Sequence, residues 1–473
     1  MDTLDKKIKE IFYDEYVYKD DKVRSIFSGF SLPSFIKDWL LKKFLDPETD
    51  EIDEAGISRF LETYIPTDGE KLKGYLISNP GRSRKILSRV IIQPDVKSGE
   101  IRFAIPDLKI KFSDTLVPGY LVKMHPELAG GELWGVLELA YEKEERRGYI
   151  KLIDFKPFKP YKVDLDFFVE ARNEFSLEEW VNLLIRSMEY NPAGFEDFNQ
   201  KLHFLLRLIV FVEPNANLIE LAPKGTGKSY VFGNLSKYGW LISGGFISRA
   251  KLFYDMSKNT PGLVERYDFI AIDEIQTIRF SDEEEIKGAL KSYLENGTFT
   301  VGNYRGVANA GFILLGNIPL NSKNKPISSL YFRELPSVFQ EPALIDRIHG
   351  FIKGWKLPRM HEGMKVRGYT LNVEYFTDIL HQLRKKGEFT LFLEDRIETS
   401  GKVDTRDKKA IIKLASALLK ILFPNTLTNP PSKYELEKYC LEPAKRLRKI
   451  IREQLSYIDE EYSPEIPTIY IKG

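Results

Sequence analysis

Along the first 65 residues, apolar side chains such as Ile8, Ile11 and Phe12 recur at helical spacing, which predicts a helical start to the chain. Between about 70 and 165 the texture changes. Short β-rich runs (RVIIQ, IRFAI, LKIKF, GYLVKM, LWGVLELAY, GYIKLIDF) alternate with Gly, Pro and charged turns, a spacing that predicts a small sheet or barrel. The prolines of FKPFKPYK, at 155–162, break regular structure and mark the exit from this region.

The next segment, FSLEEWVNLLIRSM, opens with a capping box, Ser176 to Glu179, ahead of an amphipathic helix. From there strands and helices alternate, with LIELA, WLISGG, YDFIAIDE and AGFILLGN as the strands. That alternation predicts a parallel α/β sheet. Beyond about 365 the pattern turns helical again. TRDKKAIIKLASALLKIL is one amphipathic helix, and PSKYELEKYCLEPAKRLRKIIREQLSYI is a second long stretch, with an interruption expected at Pro443. The basic part of that stretch, EPAKRLRKIIREQL, is surrounded by acids and reads as a solvated face at a subunit contact. The pattern divides the chain into an N-terminal domain (1–165), an α/β core (166–365) and a C-terminal helical domain (366–473).

Composition narrows the class. The chain has 473 residues, enough for two to four domains; 43% are apolar and 29% charged, as in ordinary globular protein. A formal net charge of +1 offers no global attraction to nucleic acid, so any such surface must come from local clustering. The single cysteine, Cys440, rules out an internal disulfide, and the five histidines do not fall at metal-ligand spacing. The start MDTLDKKIKEIFYDEY is charged throughout, and the apolar run LHFLLRLIVFV is short and carries Arg207. A cytoplasmic protein without membrane contact is expected.

The chemistry is concentrated at APKGTGKS. The phosphate-loop pattern GxxxxGK[ST] is met except that Ala222 replaces the first glycine; Pro223, Lys224, Gly225, Thr226, Gly227, Lys228 and Ser229 follow, then Tyr230. Gly225 and Gly227 let backbone N–H groups turn toward phosphates, Lys228 reaches the β/γ-phosphates, and Ser229 binds Mg2+. These nine residues, 222–230, form the expected ATP site. Asp273 and Glu274 end the apolar strand FIAID, where two carboxylates require a reason. Asp273 is expected to hold magnesium, and Glu274 to orient and deprotonate the attacking water. Asn317 follows the next strand, in position to orient that water. Arg347, in ALIDRIHGF, is a candidate arginine finger supplied to a neighbouring subunit, a charge that typically gives about 10³–10⁵ in rate. Arg406, in DTRDKKAII, starts a helix and is expected to touch the phosphates of its own subunit.

The order ELAPKGTGKSY, WLISGG, IAIDE, LLGN, ALIDRIHGF, TRDKKA is that of an AAA+ ATPase. Its details, FSLEEWVNLLIRSM before the core, ELAPKGTGKS with its alanine, ISGG, and RDKKA…LLKILFP…RLRKIIREQL near the end, resemble the Lon-like AAA+ proteins of bacteriophage-exclusion (BREX) systems. The likeness runs over roughly 160–460 and more loosely over the N-terminal part. The family is in turn similar to MCM-type helicases. The resemblance implies an α/β AAA+ core with an N-terminal α+β domain carrying an OB-like barrel, and a C-terminal helical lid. It also implies hexameric rings that pair into dodecamers, double-stranded DNA in the channel, ATP and Mg2+ as cofactors, and other BREX proteins as partners. The family usually continues into a protease domain with a serine–lysine dyad; with the sequence ending at Gly473, no peptidase activity is expected.

Two segments are candidates for DNA contact. TFTVGNYRGVANAG reads as a β-hairpin with its tip at Gly302–Gly306, and the helicase likeness implies a basic residue aimed into the channel; Tyr304 and Arg305 stand there. KLKGYLISNPGRSRKILSR carries Arg82, Arg84, Lys85 and Arg89 with no acid in the run, and a loop there would track a phosphate backbone. A protein remodeller is the main alternative function. SGGFISRAKLFYDM offers Phe246 and Ile247 as a pore loop but lacks a clean aromatic–apolar–glycine triplet. A non-hydrolysing scaffold is disfavoured by the intact Asp273–Glu274 pair.

Overall fold

The computed structural model describes residues 3–13, 15–30, 32–46, 49, 51–95, 99–125, 128, 132–144, 147–158, 163–257, 259–281, 283–401 and 404–472. The last residues of FKPFKPYK, 159–162, lie outside these. The chain forms two compact units, one of residues 21–32 and 36–162, the other of 1–20, 33–35 and 163–473.

The smaller unit is built on a five-stranded sheet. Strand β1 (Ser83–Asp95) pairs antiparallel with β2 (Glu100–Ala104) and with β4 (Glu132–Glu144), and β4 pairs antiparallel with β5 (Arg147–Pro157). The short β3 (Thr115–Leu116) runs parallel to β5, and a bridge from Val117 to Ile101 returns the chain to β2. Inside lie Ile86, Val90, Phe103, Leu137, Leu152 and Phe155. Two expected strands have other forms. GYLVKM is helix α1 (Gly119–Met124), started by Pro118. Only Leu121 of its side chains is buried, and a six-residue run in which Tyr120, Leu121, Val122 and Met124 are all apolar is too short to distinguish a helical period from a strand period. LKIKF is a turn, because Pro106 and the left-handed backbone of Lys109 (φ 54°) fold Ile105 back onto Ile110.

The larger unit holds the predicted parallel sheet. Its capping-box helix α2 (Leu177–Ser187) carries the reciprocal Ser176–Glu179 bonds. The sheet strands are β6 (Leu218–Ala222), β7 (Gly239–Ser243), β8 (Phe269–Asp273), β11 (Gly311–Asn317) and β12 (Gly350–Lys353). They lie in the order β12-β6-β11-β8-β7, every pair parallel. β6 and β8 are buried along their whole length, which is why they read as apolar runs rather than as alternation. Helix α3 (Lys228–Asn234) follows β6, and helix α4 (Glu283–Asn296) precedes the hairpin of β9 (Thr298–Val301) and β10 (Tyr304–Val307). The hairpin turns at 302–303, with Gly302 at φ +56°, so Tyr304 and Arg305 sit on its return strand rather than at the tip.

The C-terminal part contributes α5 (Thr405–Leu422) and α6 (Glu442–Ser456) to the same unit. The expected interruption at Pro443 takes the form of a π-helical run, Leu436–Leu441, that breaks the α pattern just before α6 begins at Glu442, since proline has no N–H to continue the ladder. α6 is not a solvated face throughout. Arg448 and Arg452 are buried, and Arg448 ion-pairs with Asp346 (2.8 Å) and Asp407 (2.6 Å). The acids that match them come from distant segments and are invisible in a linear charge pattern.

Residues 3–20 pack with this unit. Tyr16–Lys19 pairs antiparallel with Gly368–Leu371, and Phe12 joins Phe168, Phe175 and Tyr375 in an aromatic group. Among the described residues no helix is long and apolar enough to cross a membrane.

Candidate nucleotide site

The buried strand β6 delivers the chain to a loop that turns on two glycines, Gly225 at φ +82° and Gly227 at φ +76°. Both conformations are open to glycine and strained for other residues. At Gly227 there is also no room: an added Cβ would lie 2.4 Å from the Tyr190 hydroxyl, which reaches the Gly227 carbonyl at 3.5 Å. Ala222 is tolerated in place of the usual glycine because Gly354 faces it; a Cβ on Gly354 would meet that of Ala222 at 2.3 Å. The motif by itself gives no sign of this pairing.

Lys228 starts α3 and is buried, with its Nζ 3.4 Å from the Pro223 carbonyl and 3.4 Å from Asn317 Oδ1. Among the described residues no carboxylate forms an ion pair with it. Burial pulls its pKa down, Glu220 and Asp273 support its charge, and Arg207 opposes it. A buried ammonium held only by neutral oxygens is matched to an incoming anion, so a polyphosphate fits here. Ser229 Oγ donates to Asp273 Oδ2, bringing the two expected magnesium ligands together. Glu274 stands at the end of β8 in left-handed backbone (φ 51°) and is exposed, so the chain kinks to present this carboxylate rather than bury it.

Asn317 neighbours Ala222 across the β11–β6 ladder, which is why strand order brings it to Lys228. Gln276, not anticipated, holds Asn317 by its backbone: Nε2 donates to the Asn317 carbonyl at 2.6 Å, and Oε1 accepts from its N–H at 3.4 Å. The Tyr230 hydroxyl is directed away from this group and donates to Glu189. Glu189 also takes Lys19 (2.6 Å) and Ser34 (2.6 Å). Burial alone would raise the Glu189 carboxyl, but Lys19, Ser34 and Tyr230 hold it down at about 2.

Arg347 and Arg406 lie together. Both contact Glu295, and both line a cavity of about 630 Å³ with Lys409 and Lys413, to which none of residues 222–230 contributes. Arg406, expected over its own phosphates, therefore stands beside the candidate finger instead, held by Asp346 at 2.7 Å.

The candidate DNA contacts are partly engaged. Tyr304 stacks on Tyr254 at 3.7 Å and its hydroxyl donates to Glu265 at 3.0 Å, whereas Arg305 is exposed. Arg84, Lys85 and Arg89 lie on β1 rather than on a loop. Arg84 rests over Tyr75, Lys85 is 3.5 Å from Glu138, and Arg89 pairs with Asp107 at 2.8 Å; Arg82 is exposed in the preceding turn.

Residues 150–467 match the family described as "Lon-like protease BrxL-like, ATPase domain". Residues 10–141 match "BREX system Lon protease-like protein BrxL N-terminal". A Lon-like protease BrxL of Escherichia coli O9:H4 (strain HS) is 30% identical over 478 residues, covering 97% of this chain and 67% of that protein. Another, of Bacillus cereus (strain H3081.97), is 27% identical over 479 residues, covering 98% of this chain and 70% of the relative.

Proposed function

The chain belongs to the BrxL family of Lon-like BREX proteins and carries its ATPase domain, and from that premise we propose that it hydrolyses ATP as a ring that binds and translocates on double-stranded DNA in defence against phage. The observation that carries the ATPase reading is the buried Lys228, without an ion pair among the described residues, beside Asn317 and the joined Ser229–Asp273 pair.

In this reading Lys228 and the loop amides receive the β- and γ-phosphates, and Ser229 and Asp273 hold Mg2+, which supplies charge neutralisation when bound. Glu274 takes a proton from water as the water oxygen bonds to the γ-phosphorus. The bond from that phosphorus to the bridging oxygen breaks, and ADP leaves. Asn317, held by Gln276, orients the water. The placement of Arg347 with Arg406, apart from the chain's own phosphate loop, supports both acting on a neighbouring subunit's nucleotide, in a hexamer or a paired dodecamer.

For DNA, the strand order of the smaller unit supports an OB-like barrel: one parallel pair, β3 with β5, and α1 between β3 and β4. Such barrels bind oligonucleotides. Exposed Arg305 and Arg82 are the cations best placed for phosphate contact. A protein remodeller is the second reading, favoured by Phe246, which is 75% exposed.

The test is anisotropy of a labelled duplex titrated with the protein at two salt concentrations, with and without a non-hydrolysable ATP analogue, alongside phosphate release. Salt-sensitive, nucleotide-dependent binding with ATP turnover is expected. Turnover without binding to DNA would favour the remodeller, and absence of turnover would remove the ATPase reading.

A further inference from the structure

LIELA, the strand that feeds the phosphate loop, carries a glutamate in the middle of an apolar run. Glu220 is fully buried, and so is the arginine that meets it, Arg207, from the turn Leu206–Leu208. The pair is bidentate, Nε to Oε2 at 2.9 Å and Nη2 to Oε1 at 2.5 Å. The third arm, Nη1, donates to the backbone carbonyl of Thr226 at 3.0 Å, and the guanidinium rests over Phe204 at 5.0 Å.

Folding stability is a poor reason for this arrangement. Desolvating each ion costs several kcal/mol, and well-packed apolar residues in place of a buried ion pair are often at least as stable. The bond to Thr226 supplies another reason. Thr226 lies between Gly225 and Gly227, the two left-handed positions of the loop, where the chain is most free to adopt other conformations. Fixing its carbonyl toward the interior turns the adjoining N–H groups the other way, toward the place phosphates occupy. The guanidinium fork suits this task because it holds a carboxylate with one edge and reaches a carbonyl with the other.

We propose that Arg207, braced by Glu220, is a positioning residue of the nucleotide site: it anchors the Thr226 carbonyl and so pre-forms the phosphate-binding loop. This rests on the ATPase reading, and the two can fail separately.

The experiment uses the full chain, a fluorescent ADP analogue, ATP turnover and thermal unfolding. Arg207→Met combined with Glu220→Leu removes the pair without orphaning either charge. It is expected to unfold within a few degrees of the wild type yet bind ADP about tenfold more weakly, the change that one lost charge-assisted hydrogen bond gives. KM for ATP should rise, while kcat at saturation stays within about twofold, because bound phosphates then order the loop themselves. Arg207→Lys keeps the ion pair but not the reach to Thr226, and about a threefold loss of affinity is expected at unchanged stability. Wild-type affinity in a folded double variant overturns the proposal; if that variant does not fold, wild-type affinity in Arg207→Lys overturns it. A wild-type protein that binds no ADP overturns the ATPase reading itself, and this proposal with it.

Discussion

Arg347 and Arg406 are held by one carboxylate: a single oxygen of Glu295 lies 2.9 Å from Nε of the first and 3.0 Å from Nη2 of the second. Glu295 stands at the end of α4, and Gly297, at φ +74°, turns the chain from there into the hairpin strand β9. The two guanidinium groups proposed to meet a neighbour's phosphate thus also hold the root of the hairpin proposed to meet DNA. A phosphate, more highly charged than a carboxylate, would compete for both arginines. Glu295→Gln should therefore uncouple the two ends. Basal ATP turnover is expected to be retained within about threefold while its stimulation by duplex DNA is lost; a steady-state assay with and without DNA decides it.

If the arginine acts across a subunit boundary, Arg347→Ala should keep nucleotide binding and lose at least about 10²-fold in turnover. Mixed with Glu274→Gln subunits, themselves inactive, it should regain part of the activity. Uniform inactivity at every mixing ratio would place the finger within its own subunit.

Gly227→Ala meets two obstacles, a left-handed backbone and the Tyr190 hydroxyl 2.4 Å from the new methyl group. Loss of ADP binding is expected. Adding Tyr190→Ala should restore a fraction of the affinity, because it removes the collision but not the backbone strain, which costs about 1 kcal/mol or more. Isothermal titration of both variants separates the two contributions.

Two histidines make the larger unit sensitive to acid. Burial pulls His203 down to about 4, and His349, which accepts the Asn217 N–H on Nδ1 at 3.0 Å, lies well below the ordinary histidine range. Both are neutral when folded and gain a proton on unfolding below about pH 6.5. The unfolded state then binds more protons, so stability should fall as pH drops from 6.5 toward 4, by about 1–3 kcal/mol for His203, with His349 acting in the same direction. Thermal unfolding at pH 7.5 and 5 should show it, with a flatter profile in His203→Asn.

At the hairpin, Arg305→Ala should weaken duplex binding and reduce its salt slope by roughly one unit. Tyr304→Phe removes only a hydroxyl already committed to Glu265, and its DNA affinity should stay close to that of the wild type. Anisotropy across a salt series compares the two.

Much of the site was legible because its parts are local. The phosphate loop is eight consecutive residues after a buried strand, and Asp273 and Glu274 are anomalous at the end of an apolar run. Asn317 came from the strand count. What could not be read was whatever distant segments supply to one another. Gln276 on Asn317, Gly354 beneath Ala222, and the burial of Arg448 between Asp346 and Asp407 all require the fold to exist first. Glu220 is the exception, since a lone carboxylate in LIELA stands in plain view, and its partner Arg207 is a lone charge in an apolar stretch. Arg84 and Lys85, expected on a loop, lie on a strand, with Glu138, distant in sequence, near Lys85.

The pairing of Tyr16–Lys19 with Gly368–Leu371, and of Lys19 with Glu189 next to Tyr190, bears on how deletions in this gene should be interpreted. The smaller, five-stranded unit is an insertion in sequence between pieces of the larger unit rather than a module placed ahead of it. A truncation that starts at residue 21 removes a strand and a counter-ion from the neighbourhood of the phosphate loop. A loss of function would then register a damaged nucleotide site, and would be misassigned if scored as loss of the proposed DNA contacts. An internal excision of 36–162, bridged by a flexible linker, is the deletion whose phenotype speaks for the smaller unit.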